Sequence, residues 1–377
     1  MVDINHPGLR PIPPSSFRWQ DIPPSQSPDD VVRVSMIPSS GVEGPTNMFI
    51  DNPEDKSRLC VPSFSFLIEH KKSGKALLWD LGVTKDKERL TPALRDRISK
   101  LFDIVPDKDV MARLAEGNFD TSTVDALVLS HHHFDHIGDI STLPPHTKVI
   151  CGPGTLEAMQ PGYPKDESSP WWSKWFEERE FLELPSTETT EDWEGSVAEF
   201  GNREEAGRKW QKVACYDHAV DWFGDGSLWF VDTPGHCVGH ISALARVTSN
   251  PDTYVFLAGD TSHHQTLYLP VPVDGQPDHR TKLPFYPKPD GSGEMTTMDE
   301  DPLVNTQNVG RLTRLSAEES IMVILAHEGE VAGVLPIWPR DICQWKSNGW
   351  KGEKEKSLRA NIARASTAGT CLGSVGE

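Results

Sequence analysis

Ser130-His131-His132-His133-Phe134-Asp135-His136 follows directly on Ala126-Leu127-Val128-Leu129, a short apolar run of the buried-strand type. The heptapeptide fits the spacing H-x-H-x-D-H. His131 and His133 lie two apart on an extended segment, so their rings can point to the same side and toward one ion. Asp135 and His136 come as the chain turns and can face a second ion beside the first. Imidazole and carboxylate are ligands that zinc accepts. A histidine-rich surface loop would account for three adjacent histidines, but not for an acid at this spacing straight after a buried strand.

Three further stretches repeat the arrangement of an apolar strand that ends in metal-binding residue types. After the strand at 229–231 comes Asp232-Thr233-Pro234-Gly235-His236-Cys237-Val238-Gly239-His240. His236 follows the tight Pro-Gly turn and is the expected ligand here, whereas His240 reads as a core histidine or a support for the ligands. After the strand at 254–257 comes Ala258-Gly259-Asp260-Thr261-Ser262-His263-His264, where a carboxylate on Asp260 can bridge two ions. The strand at 321–325 ends in Ala326-His327, and this lone histidine gains meaning only in company with the rest. Strand ends are rigid places from which to present ligands.

The order HxHxDH, TPGHxxGH, Gly-Asp at a strand end and Ala-His near the C-terminus resembles the metallo-β-lactamase superfamily, over residues 31–338. Trp79-Asp80-Leu81-Gly82 is similar to the family's DTG element, with Leu in place of Thr. The resemblance implies an α/β fold, a four-layer αββα sandwich with the site at one edge of the two sheets, and Asp80 as a support behind the ligands. It implies two zinc ions, with other divalent metals as substitutes. His131, His133 and His236 would hold the first and Asp135, His136 and His327 the second, with Asp260 and a hydroxide between them. His132 and Phe134 match no ligand position. A metal-bridged water ionises near pH 7, roughly. Asp135 would orient it or pass a proton to the leaving group.

The fold does not settle the substrate. Antibiotic-hydrolysing members with Cys or Ser at the Asp260 position differ from this chain. The site resembles acyl-homoserine lactonases, glyoxalase II and organophosphate-hydrolysing relatives. The expected activity is that of a lactonase or lactamase opening a small cyclic ester or amide. The alternatives are a thioesterase like glyoxalase II, an organophosphate or phosphodiester hydrolase, a mononuclear-iron sulfur dioxygenase, and a non-catalytic binding member. Related lactonases often carry Tyr three residues after the bridging Asp. His263 stands there and is the second catalytic candidate beside Asp135.

The 377-residue sequence as a whole sets bounds on this reading. Its net charge of −19 opposes a nucleic-acid or anionic-membrane partner. No run of 18 apolar residues predicts a membrane span. The N-terminus lacks an apolar leader, and the six cysteines (60, 151, 215, 237, 343 and 371) are scattered, so reduced thiols and a cytoplasmic location are expected. The oligomeric state is left open.

Residues 1–29 read as a Pro-rich arm, 30–340 as the catalytic domain and 341–377 as a peripheral extension. A Trp-rich insert at 155–210 (Trp171, Trp172 and Trp175) reads equally as a helical cap over the pocket or a satellite core, and a Pro- and Gly-rich loop spans 265–302. Strands are expected at 31–37, 64–68, 76–79, 147–151, 213–216 and 241–247, besides those that lead into the site. Helices are expected after the Thr91-Pro92 cap, at 110–116 and at 306–315. Ser316-x-x-Glu319 reads as a capping box or as a turn before the next strand.

Overall fold

The computed structural model describes residues 3–52, 54–188, 209–270 and 280–368, with side chains up to residue 360. Strands β1 (Val32–Pro38), β2 (Phe64–His70), β3 (Ala76–Trp79), β4 (Val124–Val128), β5 (Lys148–Cys151) and β6 (Phe181–Glu183) form one sheet in that order. The first three are antiparallel neighbours, and β3 to β6 run parallel. The second sheet holds β7 (Gln211–Val213), β8 (Tyr216–Asp221), β9 (Leu228–Asp232), β10 (Ile241–Thr248) and β11 (Thr253–Leu257) as an antiparallel meander. It closes with β12 (Ile321–Ile324), parallel to β11.

Both faces of each sheet are buried because successive strand side chains point to opposite sides. On β3, Leu77 and Trp79 enter the core between the sheets while Ala76 and Leu78 face outward. On β9, Leu228 and Phe230 point inward and Trp229 and Val231 outward. The outer faces are covered by helices α2 (Val110–Glu116), α3 (Pro302–Ser316) and α4 (Trp350–Ala368), while α1 (Pro92–Ile98) packs into a separate apolar cluster. Val110 and Leu114 of α2 pack on the first sheet. Leu312 and Leu315 of α3, with Leu358 of α4, pack on the second. The result is the expected αββα order. Among the described residues no helix is long and apolar enough to cross a membrane. The described cysteines are free, with Cys60 exposed and the other four buried; Cys371 lies outside the described residues.

Several local expectations need correction. The strand expected at 213–216 is instead a hairpin: Val213 ends β7 and pairs with Tyr216, which begins β8, across a turn at 214–215 where Ala214 takes φ 50°. Helix α3 starts at Pro302, a turn earlier than expected, since the Asp301 side chain accepts from the N–H groups of Leu303 and Val304. Ser316 is its last residue, so Ser316-x-x-Glu319 is a turn. The insert is not a purely helical cap. After short helices at Thr155–Met159 and Ser173–Glu178 it donates β6 to the first sheet; residues 189–208 of it lie outside the described residues.

The tail beyond Pro339 is not peripheral. The Ile342 N–H donates to the Val34 carbonyl, and Ile342 and Trp345 join the inter-sheet core. From residue 3 to β1 the chain carries short 3-10 turns at Pro7–Leu9 and Pro14–Ser16.

Candidate metal centre

The seven side chains that sequence spacing singles out converge where β4, β9, β11 and β12 end. The joins are tight: Ile241 N–H donates to the Ser130 carbonyl, and Ala326 N–H to the Gly259 carbonyl. Gly235 takes φ 123°, and a Cβ there would lie 2.4 Å from the Asn305 nitrogen, so only glycine fits the turn that delivers His236.

Two facing groups result. In one, His131 Nε2 and His236 Nε2 each lie 3.0 Å from His133 Nδ1. In the other, His327 Nε2 lies 3.3 Å from His136 Nε2 and 3.4 Å from Asp135 Oδ2. Asp260 stands between them. Its Oδ1 is 3.2 Å from His136 Nε2 and 3.3 Å from His327 Nε2. Its Oδ2 is 3.6 Å from His236 Nε2 and 3.8 Å from His131 Nε2. Yet Asp260 Oδ1 is buried and takes part in no aligned hydrogen bond among the described residues. Imidazole nitrogens crowded this closely around a buried carboxylate oxygen without a partner suit ligands of a shared ion: two nitrogens on a tetrahedral zinc sit about 3.3 Å apart. The residues present therefore fit metal ions, and both trios are groups able to hold one.

The rings are held from behind, which fixes which nitrogen faces the centre. Asp80, at φ 57°, accepts from Ser130 N–H at 2.7 Å, from Ser130 Oγ at 2.8 Å and from His136 Nδ1 at 2.9 Å. His327 Nδ1 donates to the Pro62 carbonyl at 2.7 Å. His236 Nδ1 pairs with Asp299 Oδ1 at 3.1 Å, and Asn305 Nδ2 donates to the same oxygen at 2.9 Å. His240 accepts the Asp260 N–H on Nε2 at 3.0 Å and turns Nδ1 to Thr233, so it supports the bridge rather than joining the ligands.

Protonation follows the same division. Burial pushes His133 and His236 down to about 3 and His131 well below its ordinary value, leaving neutral imidazoles with free lone pairs. Burial would also depress His136 and His327, but Asp260 outweighs it beside both, with Asp80 adding at His136 and Asp135 at His327. His136 rises well above its ordinary value and His327 to about 10. Burial would raise Asp135, yet the adjoining His327 and His136 hold it at about 2. Protons on imidazoles thus balance the carboxylates where cations would otherwise do so.

The centre opens into a cavity of about 440 Å³ whose walls are mostly apolar, among them Phe49, Leu94, Phe102, Phe134, Trp171 and Met298. One wall is a three-stranded annex (Gly41–Pro45, Arg58–Val61 and Asp103–Val105) packed with α1. His263 lines the cavity with Nε2 3.2 Å from Asp260 Oδ2. His132 also lines it; both its ring nitrogens lack partners among the described residues, and burial lowers it to about 3. Of Trp171, Trp172 and Trp175, only Trp171 reaches the cavity, its Nε1 donating to the His132 carbonyl at 2.9 Å. Trp172 donates to the Arg89 carbonyl, and Trp175 is buried in the outer core of the first sheet.

Residues 58–283 match the family described as Metallo-beta-lactamase superfamily. The chain belongs to the metallo-beta-lactamase superfamily. It is 32% identical over 80% of its length to Cytochrome P450 monooxygenase mpaDE' of Penicillium brevicompactum, spanning only 33% of that protein. It is 29% identical over 88% of its length to Gamma-lactamase FDB1 of Fusarium pseudograminearum, spanning 81% of it. Among solved metallo-beta-lactamase folds, an N-acyl homoserine lactone hydrolase holding the product N-hexanoyl-L-homoserine at its catalytic metal center superposes with a TM-score of 0.53. That match covers 83% of this chain and 99% of the other, at 14% identity.

Sequence reasoning missed Asp299, Asn305 and the carbonyl of Pro62. Asp299 lies in the run Asp299-Glu300-Asp301-Pro302, which read locally signals only a helix start. A backbone carbonyl has no sequence signature at all.

Proposed function

We propose that this protein is a zinc-dependent hydrolase that opens a small cyclic ester or amide. The observation that carries the reading is a pair of three-ligand groups sharing one carboxylate at the floor of an apolar cavity. The gamma-lactamase relative, spanned over most of its length, supports an amide or ester ring as substrate. Two zinc ions, one held by His131, His133 and His236, the other by Asp135, His136 and His327, with Asp260 shared, would supply Lewis acidity toward a carbonyl and activate water near neutral pH.

The remaining roles belong to the chain. The apolar walls strip water from a ring and hold it against the centre. Asp135, kept ionised by His327 and His136, has a carboxylate that can take a proton from water and return it to the departing atom. His263 lines the cavity with Nε2 3.2 Å from Asp260 Oδ2, so a substrate oxygen beside Asp260 comes within reach of the imidazole. Neither role requires a Ser or Cys nucleophile.

The test is a panel of lactones, lactams, thioesters and phosphotriesters on purified protein, together with metal analysis. Cyclic esters or amides should be the best substrates, with two zinc per chain. Asp135→Ala and His327→Ala should each lose one metal and most turnover, and His263→Phe should keep both metals while kcat falls about 10²-fold. Preference for thioesters or phosphotriesters, a single iron per chain, or full activity with one metal would overturn the reading.

A further inference from the structure

The cavity carries a charge that the metal centre does not use. Helix α1 turns one face to it, at the helical spacing of Leu94, Arg97, Ile98 and Leu101. Leu94 and Ile98 are buried, whereas Arg97 is exposed at the cavity's solvent side. Basic neighbours have acidic partners: Arg95 pairs with Glu88, Lys100 with Asp96 and Arg89 with Asp139. Among the described residues the Arg97 guanidinium meets no carboxylate and no carbonyl, although the chain carries a net charge of −19. The acid lining the cavity outside the centre, Glu300, is already engaged by the Val238 N–H at 2.8 Å.

A planar cation with its donors unspent, set in a largely apolar wall, is suited to an oxyanion. The same cavity offers Trp171 and Met298 for a ring system. We propose that Arg97 is a specificity-determining residue that selects substrates whose apolar ring bears a carboxylate or a similar oxyanion, on the side away from the bond being opened. This rests on the hydrolase reading for the bond that breaks, but the recognition it describes is independent of turnover.

Two matched pairs of compounds test it on the metal-loaded protein. The first is dihydrocoumarin against its 7-carboxylate. The wild type should show the lower KM for the carboxylate. Arg97→Met should raise that KM about tenfold, as for loss of a charged hydrogen bond, leaving its kcat and both constants of dihydrocoumarin within about twofold. Arg97→Lys should restore part of the preference. The second pair, 2-naphthalenesulfonate against methyl 2-naphthyl sulfone, is read by calorimetry and needs no chemistry. The sulfonate should bind more tightly, and only while Arg97 is present.

If neither lactone is hydrolysed, the hydrolase reading fails, and the calorimetric pair alone decides the inference. If lactones are hydrolysed but Arg97→Met shifts both members of each pair equally, or neither, the inference fails and the hydrolase reading stands.

Discussion

At the scale of single residues, the centre depends on side chains that never touch a substrate. Asp299 is the clearest. It is buried, burial raises it to about 6, and its Oδ1 receives both His236 Nδ1 and Asn305 Nδ2. Asp299→Ala should weaken the first metal site about 10–100-fold in a chelator competition, the usual cost of losing such a support. Asp299→Asn, which keeps an acceptor, should lose less; unchanged affinity in the Ala variant would remove Asp299 from the site. Burial also pushes the carboxyl of Asp232, the last residue of β9, up to about 7. The folded protein then keeps a proton between about pH 4 and 7 that the unfolded chain has released, so stability falls as pH rises through that window. Asp232→Asn should therefore be more stable than wild type at about pH 8, by about 2 kcal/mol after allowing for partial exposure. The difference should fade toward about pH 4 in urea titrations; a gap independent of pH would refute the assignment.

At the scale of elements, the insert shows how one aromatic stretch divides between roles. Trp171 hangs over the cavity from the His132 carbonyl, whereas Trp175, two residues into its short helix, is core. Trp171→Ala should raise KM for an apolar substrate and leave the melting temperature nearly unchanged. Trp175→Ala should cost about 3–5 kcal/mol and leave KM alone in the protein that folds. Kinetics and thermal melts on the same samples check the pair; the reverse assignment, or equal effects, would show that the geometry has been misread. Neither expectation for this insert, cap or satellite core, describes these residues as a group: Trp171 lines the cavity, and Trp175 joins the outer core of the first sheet rather than a core of the insert's own. Helical spacing could not separate them, because the deciding facts are one hydrogen bond to a distant carbonyl and the edge strand β6.

At the scale of the whole molecule, helix α4 is tied to the site through a buried ion pair. Lys354 Nζ lies 2.8 Å from Glu328 Oε1 and 3.1 Å from the Tyr268 hydroxyl, and also donates to the Val323 carbonyl. Glu328 follows His327 of the candidate centre, and its Oε2 accepts from Leu325 N–H at 2.9 Å. Lys354→Met would strand that carboxylate in the core and should cost about 3–5 kcal/mol in urea denaturation, whereas adding Glu328→Gln should recover much of the loss. Equal destabilisation in the single and double variants would show that the pair is not coupled.

What the sequence determined by itself is whatever is written within a few residues. The seven clustered His and Asp side chains, the Thr91-Pro92 helix start and the apolar runs that became buried strands were legible because spacing, caps and short apolar runs are local. The tertiary structure alone decided the rest. It brought Asp299 to His236 across 63 positions and the Pro62 carbonyl to His327 across 265. It also turned a polar tail into the helix that seals the second sheet, with Leu358 and Lys354 buried in a segment that otherwise reads as solvated. Such contacts depend on where loops and tails fold back, and a buried lysine or a backbone carbonyl looks the same in sequence as an exposed one.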